Sequence, residues 1–129
     1  MFPVLIVMLV AIFDFGRLVF AYNDITNAAR EGTRVGIIDQ TVATIKNEVI
    51  SQATSLAIAP ADVVVTFAKS DDPTKPCGAT STTPPTKLDC LVVVTVSYNW
   101  RAITPIVGNI VGPVRVTAVS KMAVERIFP

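Results

Sequence analysis

The chain contains no histidine. That removes the commonest general base near neutral pH and the commonest transition-metal ligand. Neither a Ser–His–Asp triad nor a Cys–His pair can be assembled. A zinc site without histidine needs about four thiolates, and this sequence has 2 cysteines. Charge is also scarce. Asp, Glu, Lys and Arg make up 16% of the residues with a net charge of +1, and the basic residues are scattered. The electrostatic footprint of a nucleic-acid binder is missing, so no nucleic-acid partner is expected. There is no phosphate-binding glycine loop: Gly16, Gly32 and Gly36 fall at helical spacing, where glycine gives close approach or a stop, and Gly108 and Gly112 punctuate a loop. The carboxylates Asp62, Asp71, Asp72, Asp89 and Glu125 form no recognisable acid pair, and Asp71-Asp72 reads as a solvated turn. The expectation is a chain that is not an enzyme and carries no cofactor or metal.

What the sequence has instead is one long apolar run. Hydrophobic residues reach 51% and the mean hydropathy is +0.56. The excess sits at the start, in MFPVLIVMLVAIF (1–13), followed by Asp14-Phe15-Gly16-Arg17 and then LVFAY. At about 1.5 Å per residue, Pro3 to Tyr22 spans about 30 Å, the thickness of a hydrocarbon core. Pro3 lies in the first turn, where its missing N–H carries no penalty. A cleavable signal peptide calls for a basic n-region, which this sequence does not show. A plain membrane anchor fits the length but leaves Asp14 and Arg17 unexplained, because a charge in lipid is expensive unless paired or turned toward protein. At spacing i, i+3 the two can neutralise each other on one helix face. Two readings of the pair stand level: a helix that leaves the bilayer to pack with copies of itself, or an interfacial pair with Arg17 snorkelling.

The helix continues through NDITNAAREGTRVG, with Ile25, Ala28, Ala29 and Val35 on one side and Arg30, Glu31 and Arg34 on the other. Gly36 is expected to stop it. The second half of such a rod can pack on a globular domain of its own chain, while the first half has nothing in the chain to cover it. A second helix is expected from Thr41 to Leu56, with Val42, Ile45, Val49, Ala53 and Leu56 on one face and Asp39 or Thr41 as cap. Three strands follow, over 62–69, 90–100 and 114–125. The last two alternate, Val92, Val94, Val96 and Tyr98 marking one face of the first, and Val114, Val116, Ala118, Met122 and Val124 one face of the second. That is the half-wet pattern of an antiparallel sheet. The segment 101–113 is an apolar crossover, read first as the cover of a core edge and second as a contact with a neighbouring subunit. Cys77 and Cys90 bracket a polar, turn-rich loop and read as a disulfide rather than two unpaired thiols.

The combination of an early proline in an apolar run, Asp14-Phe15-Gly16-Arg17, and FAYNDITNAAREGTRVG resembles the TadE/TadG-like pilin family. The resemblance covers about residues 3–40 and again 90–125, where Thr104-Pro105 and the closing Ala123–Glu125 are also similar. It implies a subunit of a tight-adherence, type IV-like pilus. Such a subunit is inserted in the inner membrane, processed by a prepilin peptidase, and drawn by the pilus secretion machinery into an extracellular homo-oligomeric helical filament involved in cell adhesion. The family has further residues ahead of the proline, including a peptidase site and an acidic residue followed by Phe, whereas this sequence opens Met1-Phe2-Pro3. Asp14 and Arg17 are then the charges left in the core helix, which suits an intersubunit or intrahelical ion pair.

The resulting expectation is an α+β chain: a filament-core and membrane helix over 1–36, and a head over 37–129 in which a second helix packs on a small antiparallel sheet. The residues expected to pack in the filament core are Val4, Leu5, Ile6, Leu9, Ile12, Phe13, Phe15 and Gly16. The alternatives are a membrane-anchored minor pseudopilin or assembly factor, and a monomeric anchored periplasmic binding module.

Overall fold

The structure, a computed structural model, describes residues 1–103, 108–110 and 112–127. The expected Thr104-Pro105 step of the crossover lies outside the described residues.

Helix α1 runs from Phe2 to Gly36, with a proline in its first turn, and is about 52 Å long at about 1.5 Å per residue. Helix α2 (Val42–Gln52) follows, then a short 3₁₀ turn (Pro60–Asp62) and strands β1 (Val63–Lys69), β2 (Cys90–Trp100) and β3 (Val114–Ala123). The strands form an antiparallel sheet in the order β1-β2-β3. Val94 at its centre lies opposite Val65 on one side and Ser120 on the other. Both helices lie on the same face of this sheet, α1 over β2 and β3 and α2 beside it reaching β1. The architecture is the expected α+β one.

Burial follows the sequence periods. Val92, Val94 and Val96 of β2 are fully buried, as are Val63, Val65 and Phe67 of β1. On the helices the buried stripe is Ala21, Ile25, Ala28, Ala29, Gly32 and Gly36 of α1 with Ile45 and Val49 of α2. The α1 stripe is mostly small residues because this helix lies close to the sheet. A Cβ on Gly32 would come within 2.4 Å of Val49 Cγ2, and one on Gly36 within 2.6 Å of Val92 Cγ1. Gly36 therefore serves close packing rather than a left-handed stop. The chain leaves the helix through Ile37 in ordinary right-handed geometry, its amide donating to the Thr33 carbonyl at 3.1 Å.

One helix boundary differs from expectation. Helix α2 ends at Gln52 rather than Leu56. The chain instead descends toward β1 through turns in which Leu56 N donates to Ala53 O and Ile58 N to Leu56 O. Leu56 still packs against the core, which is why its spacing reads as helical. The N-terminus of α2 has Thr41 as its cap residue but no side-chain cap bond; Asp39 instead accepts from the Thr41 amide.

Polar stitches close the corner between α1 and α2. The buried Gln40 amide donates to Gly36 O at 2.9 Å and Arg126 O at 2.7 Å, and Glu125 and Arg126 amides both reach Ile37 O. The buried Thr33 hydroxyl meets Ser120 Oγ at 2.9 Å, tying α1 to β3.

Cys77 and Cys90 form a disulfide with Cα atoms 5.8 Å apart. It pins the loop against the outer edge of β1, where Phe67 and Lys69 amides donate to Ser81 and Lys75 carbonyls and Cys77 N donates to Phe67 O. An edge strand presents unpaired backbone groups, and this loop satisfies part of them. Asp71-Asp72 opens the turn. The Asp72 carboxyl is held below its usual range by hydrogen bonds from the Thr74 hydroxyl and amide and by the Lys75 ammonium at 3.2 Å. Replacing both cysteines by serine is expected to lower stability by about 3 kcal/mol, the closure entropy of a loop of this size. Chemical denaturation should show that loss, and reducing the wild-type protein should reproduce it.

Candidate functional site

Asp14 sits seven residues before Ala21, so it continues the stripe that faces the head. It is the first buried residue of α1, with a relative exposure of 2%. Before it the helix is bare. Val4, Leu5, Ile6, Leu9, Ile12 and Phe13 are all exposed by half or more, and Phe15 is exposed as well. Gly16 has no atom within 4 Å of where a Cβ would stand. A core helix of a soluble protein buries its apolar residues, but only 11% of the most apolar window of α1 is buried. The helix is long and apolar enough to cross a membrane. The residues expected to pack with other copies are thus largely exposed, and all but Phe15 and Gly16 precede the level at which the head begins.

That level is built around the Asp14 carboxylate. Oδ1 accepts from the Ile103 amide at 3.3 Å and lies 3.5 Å from Arg17 Nη1. Arg17 itself is partly solvated, with 39% of its side chain exposed. The pair is intrahelical, and the acid is engaged within its own chain. Two consequences follow. The charge is neutralised before it meets lipid, which removes most of the penalty of an isolated carboxylate at that depth. The start of the apolar crossover is also fixed at the same height on the helix, where Ile103 stands 66% exposed. The bare stretch 2–13 is then about 18 Å long at about 1.5 Å per residue, shorter than a hydrocarbon core of about 30 Å. Ile103 at the base of the head therefore adds to the exposed apolar surface of the helix.

Sequence reasoning named Asp14 and Arg17 but not Ile103 or Trp100. Ile103 takes part through its backbone amide, which has no sequence signature. Trp100 had one available signal: it is the single tryptophan of the chain, at the end of a strand, and tryptophan is enriched where protein meets the membrane surface. Among the described residues, no group of three or more Cys, Asp or Glu side chains is arranged to hold a metal ion.

Residues 1–34 match the family model described as TadE-like protein. This is the family whose motif the N-terminal residues resemble, and the match spans nearly all of α1 and none of the head. No curated protein and no solved structure matches the chain significantly. The likeness to TadE-like proteins is confined to this N-terminal segment.

Proposed function

We propose that the protein is a structural, non-enzymatic subunit of a Tad-type, type IV-like pilus, held in the inner membrane by α1 and polymerised by packing of α1 against α1 of neighbouring copies. The observation that carries this reading is the bare apolar stretch 2–13, within the TadE-like match, on a chain whose head is otherwise well packed. In water, burying each large apolar side chain is worth roughly 1.5–3 kcal/mol. Starting from lipid the gain is smaller, because lipid is equally apolar and only packing distinguishes the two states. Extraction from the membrane therefore requires work from the secretion machinery, and close side-chain fit in the filament core sets the yield.

This predicts a separation of effects. Leu9→Ala truncates a side chain that is 59% exposed in the monomer, so the unfolding free energy of the isolated chain should change by no more than about 0.5 kcal/mol. Filament yield should fall severalfold in the same variant. Electron microscopy of sheared surface material, with mass spectrometry of its protein content, measures the second quantity. Fibres lacking this chain, with the protein confined to the inner membrane, would rule out the filament-subunit role.

A further inference from the structure

A groove of about 590 Å³ runs along α1 just where the head takes hold of it. Its walls are largely apolar and aromatic, with Phe13 and Phe20 from the helix, Leu56 from the descent toward β1, and Tyr98 and Trp100 from the end of β2. Its volume falls within the range of about 300–1,000 Å³ typical of small-molecule sites. Two features mark it as more than a packing gap. Trp100 is only 5% exposed, and its indole Nε1–H has no acceptor among the described residues. Arg17, which also lines the groove, has a buried Nη1 without a hydrogen bond; its contact with Asp14 is a charge pairing at 3.5 Å. A buried donor left unsatisfied is costly, about 1–3 kcal/mol, so the groove calls for an occupant that is largely apolar and also carries oxygen acceptors.

We propose that this groove binds a glycerophospholipid, with an acyl chain along Phe13, Phe20 and Leu56 and headgroup or glycerol ester oxygens accepting from Trp100 Nε1–H and the Arg17 guanidinium. The position fits. The groove follows α1 from Ile12 and Phe13, the last residues of the bare helix, to Phe20 and Ala21, and the Trp100, Tyr98 and Arg17 that line it are residue types of a membrane–water boundary. The competing occupant is α1 of a second copy. Its bare stretch 2–13 has no side-chain oxygen, and its backbone carbonyls are engaged in the helix, so it would fill the volume and leave both donors unmet. The lipid satisfies both.

The inference rests on the membrane-inserted state of α1 and not on polymerisation. The test uses the full chain extracted from membranes in mild detergent, examined by native mass spectrometry. The expected result is one phospholipid retained per chain. It should be strongly depleted in Gly16→Leu, whose side chain enters open space in the groove, and weakened in Trp100→Phe, which keeps the wall and deletes the donor. Each variant is checked by circular dichroism and a thermal melt, so that loss of lipid is read on folded protein. Quenching of the single tryptophan by phospholipid brominated along its acyl chain provides an independent measurement on the same samples. Equal retention in wild type and Gly16→Leu, or no retained lipid in wild type recovered from the membrane fraction, would overturn the proposal while leaving membrane insertion intact. A lipid-free dimer that Gly16→Leu breaks would overturn it in favour of the second copy. Absence of the chain from the membrane fraction would instead overturn the insertion on which it rests.

Discussion

Replacing Asp14 by alanine is expected to destabilise the chain by about 2–3 kcal/mol, more than any other single change in the first half of α1. Breaking a buried ion pair by removing one partner typically costs about 3–5 kcal/mol. The value here falls below that because Arg17 is 39% exposed and water screens part of the loss. The structure gives Asp14 a second task, since it also accepts from the Ile103 amide. A comparison of variants therefore separates the two. Asp14→Ala leaves both Arg17 and the Ile103 amide without the carboxylate. The Asp14→Ala, Arg17→Ala double variant removes the stranded charge but still leaves the amide, so it should recover only part of the stability. Asp14→Asn keeps an oxygen for Ile103 and loses the charge, so it should also fall between wild type and Asp14→Ala. Denaturant unfolding in detergent, followed by the emission of Trp100, gives the ordering. Equal losses in Asp14→Ala and the double variant would remove the ion pair from the account, and full recovery in the double variant would remove the Ile103 bond.

Gly32→Ala is expected to lose about 1–2 kcal/mol, although alanine favours helix over glycine by about 1 kcal/mol. The reason is the 2.4 Å approach of the new Cβ to Val49 Cγ2. Val49 is fully buried between the helices and the sheet, so it cannot swing aside, and overpacking of this kind costs about 1–3 kcal/mol. Val49→Ala is destabilising by itself but should relieve Gly32→Ala, giving a double-mutant coupling of opposite sign to the single losses. Gly16→Ala on the same helix provides the control: nothing lies within 4 Å of its Cβ position, so it should be neutral or stabilising. Thermal melts of the four variants against wild type decide the matter, and destabilisation by Gly16→Ala equal to that of Gly32→Ala would mean that helix approach is not what selects glycine.

The elements themselves were legible because each has a period. The 3.6-residue stripe of Ile25, Ala28, Ala29 and Gly32 and the alternation of Val92, Val94 and Val96 describe surfaces buried against one neighbour, and the structure buries those residues. Helix ends were less legible. Ala53, Leu56 and Ile58 belong to a descending turn that happens to keep apolar spacing, and periodicity alone cannot tell a last helical turn from a turn packed on the same core. Gly36 ends the helix as expected, but glycine is used both to end helices and to let backbones approach, and only the position of Val92 reveals the second use.

By itself the sequence determined that this chain has a long apolar helix, a charge pair inside it at i, i+3, an antiparallel sheet, and no histidine for the commonest kinds of catalysis. These are properties of composition and of local period, which are written along the chain. The tertiary structure alone decided where the head grips the helix and what that grip does. The buried state of Asp14, its bond to an amide 89 positions away in sequence, and the groove between Phe13, Leu56 and Trp100 are contacts between segments distant along the chain. No local pattern encodes such contacts, because they arise only when helix and sheet close on a shared core and fix the depth at which apolar helix gives way to head.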